Sequence, residues 1–326
     1  MRKILFVTQP GADEAACGVF LIGRQYLNLL KESDKFKVIK VSPNKIEDII
    51  VEITASNPLA VIINFHPITT PWADVTEVQK KFPNIPFIKF DHDMTQEFID
   101  TYSPEKNFGF QYCISPDPTL KKTSPFVFQI NRLMGDGSPI NPPKKDCPWI
   151  GYQGFGFEHK GIHRIAEYAA KEFDHAILRL HIPHSIYGDP YGHLARMQVE
   201  RARNIVKGTN IIVSESYNLM SSIQLVQWLS QNDVNCYFYD NNSEWGIASA
   251  PDYAIAARRP IAVTKSEQLR YVWKNIPSSV IEESSLRSII ENEFSPYEDL
   301  YKKMSRINVL NELEHLIEHL IYIHRI

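Results

Sequence analysis

The chain has 326 residues, 44% hydrophobic and 22% charged, the balance of a globular protein long enough for two domains. Its formal net charge of −3 excludes a global basic field, so no nucleic-acid partner is expected. The apolar runs fall short of the roughly 20 residues of a membrane span. Cys17, Cys113, Cys147 and Cys236 lack the paired spacing of a zinc site or a disulfide framework, which makes the reducing cytoplasm the expected location.

The N-terminus goes from Met1-Arg2-Lys3 straight into a short apolar run. That run is too short for a secretory segment, so it is read as a first strand, Lys3 to Thr8. A polar turn, Gln9 to Gly18, leads into a helix whose apolar spacing runs from Val19 to Leu30. Only Gly11, Gly18 and Gly23 are present there, so a G-x-G-x-x-G dinucleotide fingerprint is not supported. Strands follow at 36–41, 59–65, 86–90, 110–114 and 125–130, with helices at 45–55 and 74–81. This alternation predicts a parallel sheet with helices on both faces.

Residues 135–148, GDGSPINPPKKDCP, have no apolar periodicity and read as an interdomain linker. The alternation then restarts with strands at 149–153, 176–182, 210–214 and 234–239 and helices at 162–171, 192–206 and 220–229. Another helix, 252–257, opens behind Pro251, and a short strand follows at 260–263. A last helical region runs from Ser295 to about His324, with Leu310, Leu313, Leu316, Ile317, Leu320 and Ile321 on one side. Such a stripe could face a membrane edge or a partner, but packing on its own domains is the stronger expectation.

Two stretches carry chemistry. The loop 154–161 places Lys160 and Gly161 at the start of a helix, directly after the first strand of the second half. A cation beside free helix N–H groups suits a diphosphate. The run 240–263, DNNSEWGIASAPDYAIAARRPIAV, is a loop and helix between two strands, with Glu244 and Asp252 separated by seven residues. Ser249 to Asp252 begin the helix at what would be the carboxyl edge of a sheet. In the first half, His66 and His92 each follow a predicted strand. Asp91-His92-Asp93 also admits a D-x-D metal reading, although alternate residues of a true strand point to opposite faces.

Together these segments resemble the GT-B glycosyltransferases, especially the retaining family 4 (glycosyl transferases group 1). The resemblance implies two Rossmann-like domains facing a central cleft: an acceptor domain at 1–140, a nucleotide-sugar donor domain at 141–300, and a C-terminal helix at 301–326 packing back on them. It makes Lys160 the diphosphate lysine, Glu244 the acid near the donor sugar and Asp252 the acid near the ribose. Asp252 stands where the family has Glu, one methylene shorter. His92 in F-D-H-D-M matches the family's sugar-contacting His. Lys160, Glu244 and His92 are thus the expected catalytic residues, and Gly18, Gln153, Lys160, Ser249, Ala250 and Asp252 the donor contacts. The family's Arg shortly before the Lys is missing from Tyr152-Gln153-Gly154, which would leave Arg179 or the other domain to supply a second cation.

The function this implies is transfer of a sugar from a nucleotide-diphosphate sugar to a saccharide or lipid-linked saccharide, retaining and metal-independent, with no cofactor, in surface polysaccharide synthesis. His66 and Trp72 are the expected acceptor contacts, with Tyr102 and the Thr69-Thr70 pair as further candidates. Peripheral association with the inner face of the membrane is compatible with such an acceptor. A catalytically idle nucleotide-sugar-binding or scaffold protein, and a sugar-nucleotide epimerase of the same fold, stay open as alternatives. Glucosylation of DNA bases is disfavoured by the negative net charge.

Overall fold

A computed structural model of the chain describes residues 2–10, 18–241 and 246–325. Its contacts divide the chain into two units, Met1–Leu133 with Lys303–Ile326, and Met134–Lys302.

The first unit holds six parallel strands: β1 (Arg2–Val7), β2 (Phe36–Val41), β3 (Val61–Phe65), β4 (Phe87–Asp91), β5 (Tyr112–Ser115) and β6 (Val127–Gln129). Their order is β2-β1-β3-β4-β5-β6. Helices α1 (Gly18–Leu30), α2 (Ile46–Ser56), α3 (Thr76–Lys81) and α4 (Gln96–Asp100) lie in the connections. Successive strand residues point to opposite faces, and this alternation builds two cores. Ile4, Phe6, Ile62, Ile88 and Phe90 pack with α1 on one face. Leu5, Val7, Val61, Ile63 and Phe65 pack with α2 and α3 on the other. A sheet covered on both faces needs continuous apolar strands, which is why all five residues of β3 are buried.

The second unit holds five parallel strands: β7 (Trp149–Gln153), β8 (His175–His181), β9 (Asn210–Ser216), β10 (Val234–Tyr237) and β11 (Ile261–Val263). They lie in the order β11-β10-β7-β8-β9. Around them run α5 (Ile162–Glu172), α6 (His193–Ile205), α7 (Ser222–Ser230), α8 (Ala250–Ala256), α9 (Arg270–Trp273), α10 (Leu286–Glu291) and α11 (Glu298–Lys303). Residues 135–148 form neither helix nor strand.

Helix α12 (Arg306–Ile323) belongs to the first unit, where Val309, Leu310, Leu313, Ile317, Leu320 and Ile321 join the core beside α1. Each such side chain contributes roughly 1.5–3 kcal/mol on burial. Lys35 pairs with Glu318 at 2.9 Å, and Arg2 and Arg306 pair with Glu318 and Glu32. The expected continuous helix from Ser295 is interrupted. A single turn at Ser295–Tyr297 and α11 precede a break at Met304-Ser305, where Ser305 takes the extended backbone of a helix N-cap. Short α4, α9 and α10 were not anticipated, because four to six residues hold too little periodicity to read. No helix among the described residues is long and apolar enough to cross a membrane.

In each sheet the chain starts at an inner strand and then builds to both sides. The direction of winding therefore reverses between β1 and β3 in the first unit and between β7 and β10 in the second. In open α/β sheets, the carboxyl edge at such a reversal is where ligands bind.

Candidate functional site

At the reversal in the second unit, β7 ends at Gln153, and the loop behind it is fastened to its neighbours. Gly154 N–H donates to the His181 carbonyl at 3.1 Å, and Tyr152 Oη to the Phe155 carbonyl at 3.0 Å. A turn of 3₁₀ helix, Glu158–Lys160, leads into α5 through Gly161 at φ 60°. A Cβ at Gly161 would lie 2.0 Å from the Phe238 carbonyl oxygen, so only glycine lets this loop lie against the end of β10. The Asp240 N–H donates to the His159 carbonyl at 2.8 Å and completes the seam.

That packing delivers Lys160. Its Nζ stands 3.8 Å from the centroid of the Tyr239 ring, a cation–π contact. Burial lowers its pKa to about 7, and no ion pair joins it to a described residue. The N-terminus of α5 likewise has no side-chain cap and no acid in its first turn. A desolvated cation beside a helix start with no side-chain cap is arranged to take an anion. The side-chain oxygen Oε1 of Gln153, the last residue of β7, is buried without a hydrogen bond.

Ser249 occupies the N-cap of α8, Ala250 and Pro251 follow, and Asp252 is in the first turn. Tyr237 Oη donates to the Ala250 carbonyl at 3.3 Å, which ties α8 to β10. Asp252 is only 3% exposed, and its Oδ1 accepts from Tyr271 Oη at 2.8 Å. Burial, and after it the Asp252 carboxyl, pushes the Tyr239 phenol up. Lys160, Tyr239, Asp252 and Tyr271 therefore form one neighbourhood. Glu244 lies outside the described residues, as does most of the turn Gln9 to Gly18. Near the first of these gaps, Arg270 donates to the Gly246 carbonyl at 3.0 Å.

Arg179 does not supply the second cation. Its guanidinium lies between the rings of Trp149 and Trp228, 4.6 and 4.4 Å from their centroids, and donates to Asn232 Oδ1 at 2.6 Å and Gln231 Oε1 at 3.2 Å. It serves the carboxyl end of α7 rather than the loop behind β7.

The edge of the first sheet is polar in a different way. His92, buried just after β4, places Nε2 2.6 Å from Asn64 Oδ1 on β3. His66 Nδ1 accepts from the Ile68 N–H, and Nε2 is 3.5 Å from Asp93 Oδ2. Asp91 pairs with buried Lys89 at 2.7 Å, and Lys89 also lies over Phe65 and Phe98. Among the described residues no three His, Cys, Asp or Glu side chains come together as a metal site. Gly18 opens α1, and a Cβ there would meet none of the described residues within 4 Å.

Trp72 packs partly buried against the core under α2 and α3. Tyr102 is a core residue rather than an acceptor contact, buried with Oη donating to the Phe110 carbonyl. Thr69 accepts from Gln9 Nε2, and Thr70 bonds both ways with the His66 backbone. Sequence reasoning missed Gln9 and Asn64. An Asn inside the otherwise apolar run LAVIINF was the available signal, since a polar residue in a buried strand needs built partners.

The two parallel α/β sheets, each wound about an inner first strand, have the GT-B fold, which solved glycosyltransferase structures share over nearly the whole chain. The solved structures most similar to the chain include that of HepE from Anabaena in complex with UDP and glucose (TM-score 0.63, 12% identity, 98% of this chain and 100% of that one). They also include sucrose-phosphate synthase from Thermosynechococcus elongatus (0.68, 13%, 99% and 100%) and a glycosyltransferase from Rickettsia africae (0.61, 14%, 98% and 98%). No protein-family model matches the sequence, and no curated protein matches it.

Proposed function

We propose that the chain is a glycosyltransferase moving a sugar from a nucleotide-diphosphate sugar to a saccharide or lipid-linked saccharide acceptor, with retention and without a metal. The observation that carries this reading is Lys160, desolvated over Tyr239 at an uncapped helix start, with no ion pair to a described residue. A diphosphate there restores the lysine's charge and takes the N–H groups of α5. Most of the work in such a transfer is stabilising charge on the leaving diphosphate. In this account Gln153, Ser249, Ala250 and Gly18 line the donor, Asp252 and Glu244 address its ribose and sugar, and His92 with His66 and Trp72 serve the sugar and acceptor. HepE, of similar fold, binds UDP, glucose and UDP-glucose.

The test is transfer across an acceptor panel by the unaltered protein and by Lys160→Ala and Glu244→Ala variants that keep the fold. Loss of transfer in both supports the reading, and unchanged turnover in both removes it. A second reading, nucleotide-sugar binding without transfer, draws support from the engagement of Asp252 by Tyr271 and of Arg179 by α7. Nucleotide binding with no hydrolysis or transfer would favour it.

A further inference from the structure

Asn64 has zero exposure in the middle of the first sheet, and its side chain is oriented by atoms that leave no choice. Nδ2 donates to the Val19 backbone carbonyl at 3.2 Å and to Gln9 Oε1 at 3.0 Å. Gln9 is fixed in turn, because its Nε2 donates to the Asn64 backbone carbonyl at 2.7 Å and to Thr69 Oγ1 at 3.1 Å. Backbone carbonyls only accept, so neither amide can be flipped without losing a bond. Asn64 Oδ1 therefore faces His92 Nε2 at 2.6 Å. That oxygen also only accepts, so Nε2 carries the ring proton and Nδ1 is left as the bare acceptor. Nδ1 is buried and has no hydrogen bond.

Two further facts show that this arrangement is built in. A Cβ at Gly23 would stand 2.1 Å from Asn64 Nδ2, so α1 carries a glycine where the amide must pass. Burial outweighs the opposing pull of Asp91 and, helped by Arg132 and His66, lowers the His92 pKa to about 3, which keeps the ring neutral at ordinary pH. A buried acceptor without a partner destabilises the protein until something donates to it.

We propose that Gln9 and Asn64 are positioning residues that lock His92 as its Nε2–H tautomer, so that Nδ1 accepts a hydrogen bond from a hydroxyl of the bound sugar substrate. The identity of that ligand rests on the glycosyl-transfer reading; the tautomer lock does not. The experiment is ¹⁵N NMR of ring-labelled histidines, with the His92 signals assigned through His92→Gln. The expected spectrum has a pyrrole-like Nε2 and a pyridine-like Nδ1 that hold between about pH 5 and 8, where a free histidine would titrate.

In Asn64→Leu the two tautomers should mix, and kcat with UDP-glucose should fall roughly tenfold to a hundredfold, the range of one hydrogen bond lost in a desolvated site. Asn64→Asp keeps an acceptor facing Nε2. It should restore the tautomer and part of the turnover at high pH, and lose both as pH falls and the ring becomes charged. A protonated Nδ1 in the unaltered protein overturns the proposal whether or not any variant folds. An unchanged tautomer in Asn64→Leu overturns it too. If the unaltered protein transfers no glucose from UDP-glucose, the functional reading fails for that donor, and the nitrogen spectra still decide the lock.

Discussion

Lys160 lies over the face of Tyr239, Nζ 3.8 Å from the ring centroid, at the point where the winding of the second sheet reverses. The ring is buried just beyond the end of β10, and the lysine sits in a loop held by a glycine that no other residue can replace without meeting the Phe238 carbonyl. The cation is thus set in place before any anion arrives, and the cost of desolvating it is already met in the free protein.

Burial brings the lysine from 10.5 to about 7, and the sign of the pH dependence follows. An anion binds the protonated form, so affinity for UDP-glucose should fall as pH rises through 7, by at most about tenfold per unit. Binding at about pH 8 should take up protons, visible in calorimetry as a heat that changes with the ionisation enthalpy of the buffer. The unfolded chain holds this proton up to 10.5, so unfolding takes up a proton between 7 and 10.5, and this group's contribution makes the native state more stable as pH rises through that window. Lys160→Met should flatten both profiles.

Two glycines should behave in opposite ways. Gly161→Ala forces an L side chain into left-handed backbone, costing at least about 1–2 kcal/mol, and into the Phe238 carbonyl as well. It should lower the melting temperature and weaken UDP-glucose binding together. Gly18→Ala meets no described residue within 4 Å and should leave the melting temperature unchanged, while reducing donor affinity by roughly tenfold if a ligand approaches that backbone. Thermal denaturation with and without UDP-glucose separates the two cases.

The sheet architecture was legible because strands covered on both faces must be apolar throughout, and β7 came out with the bounds read from Trp149 to Gln153. The placement of Lys160 at the α5 start was legible because its neighbours in sequence, Gly161 and that helix, are also its neighbours in space. What sequence could not show depends on contacts between distant segments. Gln9 and Asn64 are 55 residues apart and meet only because β1 and β3 pair. Tyr271 reaches Asp252 from a helix too short to leave a pattern. Arg179 had the right charge near a plausible edge, but two tryptophans and the end of α7 claim it.

The Tyr271 bond makes its own prediction. Tyr271→Phe removes a donor to a buried carboxyl and should destabilise the protein by about 1–3 kcal/mol, read as a lower urea midpoint at unchanged slope. If Asp252 serves the donor ribose, the same variant removes one competitor for its Oδ1, and UDP-glucose affinity should hold or rise even as stability falls. A parallel loss of both would assign Asp252 to the scaffold alone.

Lys160 as the diphosphate cation is the central claim, and direct titration of UDP-glucose into the unaltered protein and into Lys160→Met by calorimetry tests it most directly. Saturable binding by the first, weakened at least about a hundredfold in Lys160→Met with a melting temperature no lower than that of the unaltered protein, is the predicted result, as befits a buried charge-assisted contact. Equal affinity in the two proteins would contradict the assignment.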